Sequence, residues 1–180
     1  MIVARNIAEL PSVPAVYALY GGTSSQRYVA YVGIGASLRQ RIEQHLVRRD
    51  SSIATGVSAV HLNPDRVVAV RWWEHQSFSQ SDCLEAAELI AFDLMNPALR
   101  SRGNVTERAR SHLNDMSFVE QLRSLLAGEA TGELIIPSLS TALQDIAALH
   151  QQVTALEHQI ATIQSALRRQ GIVIEDNCSG

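Results

Sequence analysis

The chain has 180 residues, 46% hydrophobic and 18% charged, with a formal net charge of −3. That composition belongs to a globular protein and excludes a disordered one. The acidic balance excludes a chain that holds nucleic acid by bulk charge alone. No run of about 18 apolar residues occurs, so no membrane-spanning helix is expected. The opening MIVARNIAELPSVP lacks the apolar core of a secretory leader, so a cytoplasmic location is expected. All 15 basic residues are Arg, which excludes Schiff-base, P-loop and Ser–Lys chemistry. Any phosphate contact must then come from guanidinium forks, backbone amides or hydroxyls. Ten Arg stand against nine Asp/Glu in residues 1–104, and five against nine in 105–180. The two cysteines, Cys83 and Cys178, read as reduced thiols rather than a disulfide framework or thiolate metal site.

Residues 14–20 (PAVYALY) and 28–33 (YVAYVG) are β-rich runs separated by turn residues, which predicts an antiparallel hairpin. A helix is expected from Ser37, where Ser37 and Gln40 form a capping box and Leu38, Ile42 and Leu46 recur at helical spacing. The stretch 50–65 is polar and irregular, with Asn63-Pro64-Asp65 as turn material. Residues 66–74 (RVVAVRWWE) predict a third strand. Alternation along it would bury one of Trp72 and Trp73 and leave the other for solvent or a stacked base, although ordinary packing is the commoner fate of strand aromatics. A mostly apolar helix follows, starting at an Asp82/Glu85 capping box and ending near Asn96-Pro97. One or two further helices are expected in 106–127, with a Ser117/Glu120 capping box, and Gly128 to Pro137 reads as a linker.

Residues 139–170 differ in kind. Leu139, Ile146, Val153, Ile160 and Leu167 are spaced by seven, and Ala142, Leu149, Leu156 and Ile163 form a second such series three residues behind. This is an a/d heptad pattern, and it predicts a coiled coil that joins copies of the chain. The β-branched a and Leu-rich d positions favour a parallel dimer, while weakly charged flanks leave tetramers and antiparallel pairing open. The expected division is therefore 1–104 as a domain, 105–137 as a helical extension and linker, 138–170 as an oligomerisation helix and 171–180 as a tail.

Ala15-Val16-Tyr17 followed by Tyr31-Val32-Gly33 resembles the paired tripeptides of the GIY-YIG nuclease family. Arg41, ten residues after Tyr31, stands where that family carries its arginine, and His45 where it often carries His or Tyr. Glu88, nine residues before Pro97, resembles the family's metal-binding glutamate. The resemblance covers roughly residues 12–104 and implies an α+β sandwich, with a small antiparallel three-stranded sheet flanked by helices. Three positions depart from the pattern: Ala15 replaces a usual Gly, Ile34 stands where some relatives have Lys, and Asn104 is displaced.

The resemblance implies metal-dependent hydrolysis of DNA phosphodiesters, in a branch closer to restriction and defence than to repair. Glu88, with Glu85 as a rival three residues away, would hold Mg²⁺ or Mn²⁺; hard cations of this kind take oxygen ligands and keep several waters. Arg41 would fork onto the phosphate. Tyr17 or Tyr31 would accept the proton of the attacking water, and His45 would orient a tyrosine or act as base. Arg100, Arg102 and Asn104 form a loop expected to contact substrate phosphates. The departures and the acidic charge support a second reading, a catalytically inactive DNA-binding or assembly module on the same scaffold.

Overall fold

In a computed structural model, residues 1–23, 26–50, 62–99, 105–137 and 139–169 are described. The chain is α+β, and it divides into two compact units, Met1–Ser138 and the remainder from Leu139. The strands of the first unit are β1 (Ile2–Ala4), β2 (Ala15–Gly22), β3 (Arg27–Gly35), β4 (Val67–Trp73) and β5 (Gly132–Ile135). Its helices are α1 (Leu38–Leu46), α2 (Ser81–Met95), α3 (Glu107–His112) and α4 (Met116–Ala127). Among the described residues no helix is long and apolar enough to cross a membrane.

The sheet has five strands in the order β1-β5-β4-β2-β3, where three were expected. The three expected strands are present as β2, β3 and β4, all antiparallel to their neighbours. The added pair, β1 and β5, comes from stretches too short to signal themselves. Val3 pairs with Glu133 in parallel, and β5 runs antiparallel to β4. The span read as a linker thus supplies a strand. Its Glu133 accepts hydrogen bonds from Arg71 Nε at 2.8 Å and Arg27 Nη1 at 3.0 Å, so charge pairing as well as backbone bonding ties β5 into the sheet.

Strand alternation sends β2 side chains to two cores. Tyr17 and Leu19 join Leu38 and Ile42 of α1, together with Trp72 and Leu134. Val16 and Ala18 pack on the other face with Trp73, with Ala87 and Ile90 of α2, and with Leu122 and Leu126 of α4. The register shifts between Leu19, paired with Tyr31, and Tyr20, paired with Val29. Ala30 is therefore a bulge residue, and both Ala30 and Tyr31 join the α1-side core. Trp72 and Trp73 are both buried, one in each core, so neither ring is presented for base stacking.

None of the three expected capping boxes forms. Ser37 sits at the N-cap of α1 without a side-chain capping bond. The first turn of α2 begins at Ser81, ahead of Asp82. Asp115 caps α4 by accepting from Ser117 N and Phe118 N. The stop of α2 is as expected: Asn96 adopts the left-handed conformation (φ 43°) before Pro97.

The second unit is one helix, α5 (Leu139–Arg169), of 31 residues. Its heptad residues Ile146, Leu149, Val153, Leu156, Ile160 and Ile163 are each more than half exposed.

Candidate functional site

The hairpin brings the two tyrosines together. β2 and β3 pair Tyr17 with Gly33 and Leu19 with Tyr31, which leaves the phenol rings on the α1 face with centroids 6.2 Å apart. Gly33 makes this possible by having no side chain. A Cβ there would stand 2.6 Å from the Tyr17 hydroxyl and 2.8 Å from the Tyr31 ring. Gly35 has the same role for the helix, since its Cβ would lie 2.9 Å from Arg41 Cβ. The glycines of the second run are cleared space for the side chains that cross them.

Helix α1 supplies the next two residues. Leu38 and Ile42 bury its apolar stripe, and Arg41 and His45, one turn apart, share the flank nearest the tyrosines. His45 is fully buried. Its Nε2 lies 2.6 Å from the Tyr17 hydroxyl, and its ring lies 5.6 Å from that of Tyr31. Burial first, and the Arg41 charge second, lower the His45 pKa to about 3, so the imidazole is neutral at ordinary pH.

Burial raises the Tyr17 pKa well above that of a free phenol, and the neighbouring Tyr31 adds to this. Tyr31 is raised too, by burial and then by the charge of Glu88. Arg41 opposes both shifts as a hydrogen-bonding and positively charged neighbour of each phenol. Burial alone would lower Arg41, but Tyr17 and Tyr31 outweigh it and hold the guanidinium firmly protonated. A guanidinium can only donate. Arg41 thus donates to the Tyr17 oxygen, whose other close neighbour is His45 Nε2.

The fifth residue comes from the other side of the sheet. Glu88 is buried on α2, and its charge acts on both phenols. Because β3 is an edge strand, α1 and α2 both contact it from opposite faces. Glu85 is engaged elsewhere. Its Oε2 accepts from Thr106 N at 3.1 Å and Thr106 Oγ1 at 2.7 Å, at the start of α3.

Tyr17, Tyr31, Arg41, His45 and Glu88 therefore form one electrostatically connected cluster on β2, β3 and the two flanking helices. Arg100, Arg102 and Asn104 lie outside the described residues, as does most of the polar stretch 50–65. The segment leading to Arg100 is fixed by Ala98 N to Val29 O and Leu99 N to Ala30 O, both at 2.9 Å, directly beside Tyr31 in sequence. The reading from sequence missed the steric work of Gly35, which its spacing of six residues from Arg41 does not announce.

A single carboxylate beside two phenols and a guanidinium is a hard, oxygen-based donor set. It suits a cation that keeps most of its waters, as Mg²⁺ does, and does not suit one needing several protein ligands. Comparison of the chain with family models, with curated proteins and with solved structures yields no match in any of the three.

Proposed function

We propose that the chain is a metal-dependent endonuclease that hydrolyses DNA phosphodiester bonds at the Tyr17/Tyr31/Arg41/His45/Glu88 cluster. The observation that carries the reading is the convergence of a protonated guanidinium, two phenols, a neutral imidazole and a carboxylate on one sheet edge. Arg41 donates to the scissile phosphate and opposes its growing negative charge. Tyr31, less deeply buried than Tyr17, would first lose its own proton to solvent and then, as the phenolate, take the proton of the attacking water. His45 fixes Tyr17 by its hydrogen bond, and Tyr17 in turn holds Arg41 in place.

Glu88 would hold the divalent cation, Mg²⁺ or Mn²⁺. When bound, that cation would stabilise the leaving 3′ oxygen and offset the carboxylate charge that adds to burial in keeping the phenols protonated. Arg100, Arg102 and Asn104 would contact flanking phosphates. The exposed heptad stripe of α5 supports self-association of the chain, as a dimer in the simplest case. One site cuts one strand, so linked copies can address both strands of a duplex.

The deciding experiment is incubation of the purified chain with supercoiled plasmid and Mg²⁺. Nicked and linear products are expected, lost on chelation and in Arg41→Ala and Glu88→Gln. Retardation of DNA without metal and without products would favour the inactive DNA-binding reading instead.

A further inference from the structure

A second group of chemistry-bearing side chains lies at the other end of α2. Asp82, Cys83 and His112 present one ligand atom each, and all three atoms lie within 4.8 Å of one another. His112 Nε2 is 3.2 Å from Asp82 Oδ2 and 3.7 Å from Cys83 Sγ. Gln80 adds a fourth candidate donor, its Oε1 lying 3.5 Å from the same sulfur. The His112 ring packs on Phe118, with centroids 5.3 Å apart, and this fixes its direction.

Two readings of such a trio compete. In a thiol–imidazole relay the carboxylate and the thiol bind opposite ring nitrogens, so that one orients the imidazole while the other loses its proton to it. Here both contact Nε2, so a relay has no path. A metal centre requires the opposite, several donors converging on one point. Tetrahedral zinc with its usual bond lengths sets ligand edges of about 3.3 Å between N and O and about 3.6 Å between N and S. The observed 3.2 and 3.7 Å match the two edges that meet at His112, and all three donor atoms lie within 4.8 Å of one another.

We propose that Asp82, Cys83 and His112, with Gln80 or water in the fourth position, form a structural Zn²⁺ site that fastens α3 to the first turn of α2. Thiolate, imidazole and carboxylate together select a borderline-soft cation and disfavour Mg²⁺, so this site is chemically distinct from the one at Glu88. Binding releases the Cys83 thiol proton to solvent. The location gives the cation a purpose. Helix α3 has six residues, too few to persist alone. One end is held by Glu85 on Thr106, and the metal would hold the other through His112.

The test is Co²⁺ titration of the metal-free full chain under reducing conditions. One equivalent should produce a near-ultraviolet thiolate-to-cobalt band with the intense visible absorption of tetrahedral Co²⁺, and Zn²⁺ should displace it. Cys83→Ser should abolish the band. His112→Ala, at a partly exposed position, should weaken binding by more than the roughly 10–100-fold that loss of an outer-shell contact costs. Cys178→Ser and Glu88→Gln should keep the band, which separates this result from any failure of the nuclease reading. No band in a protein whose circular dichroism is native would overturn the proposal. So would a band that survives Cys83→Ser or disappears in Cys178→Ser.

Discussion

The Tyr17 hydroxyl and His45 Nε2 lie 2.6 Å apart inside the core, where burial and the Arg41 charge make the imidazole an acid-sensitive element. The His45 pKa is about 3 in the folded chain, against about 6.5 for an unfolded histidine. The folded pKa is depressed, so the unfolded state binds the extra proton between these values. The contribution of His45 is fully present above about pH 6.5 and is lost as pH falls toward 3, with a slope of about 1.4 kcal/mol per pH unit from this residue alone. Urea unfolding followed across that window should show the slope, and His45→Gln should flatten it.

Gly33→Ala should disturb the site without replacing any of its polar groups. The new methyl would meet the Tyr17 hydroxyl at 2.6 Å, and Tyr17 has no exposed side to retreat to. A loss of about 1–3 kcal/mol is expected from overpacking of this kind, together with a large fall in plasmid nicking. Chemical denaturation and the nicking assay, run on the same preparation, would measure both effects.

Glu88 and Glu85 are expected to separate cleanly. Glu88→Gln removes a charge that raises both phenols. The ultraviolet titration of the buried tyrosines should therefore move to lower pH, while cleavage is lost. Glu85→Gln weakens the bonds to Thr106. It should cost about 1 kcal/mol of stability and leave cleavage intact. Identical behaviour of the two variants would contradict the assignment of separate roles.

Helix α5 should set the oligomeric state. Val153 and Ile160, both more than half exposed in the single chain, occupy a positions of the heptad. Light scattering should give a dimer or larger species for the wild type and a monomer for Val153→Asp/Ile160→Asp. Single-strand nicking should survive in that variant while double-strand cleavage falls. A wild-type monomer would remove self-association from the proposal.

The hairpin, the strand at 66–74 and the helices around Arg41 and Glu88 were legible because their period, turn residues and apolar stripes agree with one another. Strands β1 and β5 were not. Three or four residues are too few to show a period, and the Gly and Pro around Gly132–Ile135 imitate a linker. Capping misled for a related reason. Ser37, Asp82 and Ser117 have the right neighbours at i+3, but Ser37 makes no capping bond at its N-cap position, α2 begins ahead of Asp82, and Asp115 reaches the α4 amides first. For Trp72 and Trp73 alternation was correct and ordinary packing, the commoner fate, holds for both, because the sheet is covered on both faces. The Tyr17–His45 pairing joins residues 28 apart, and spacing alone gave the candidates without the bond between them.

The strand order has a consequence for how the chain can be assembled. β3, which carries Tyr31, is one border of the sheet. The chain leaves the first unit after β5, three strands away, or about 14 Å at ordinary strand spacing. Among the described residues, every strand and all five clustered side chains precede Pro137. The sheet and the cluster are thus complete within the first unit, and exchanging the helix that follows should leave the strand register unchanged.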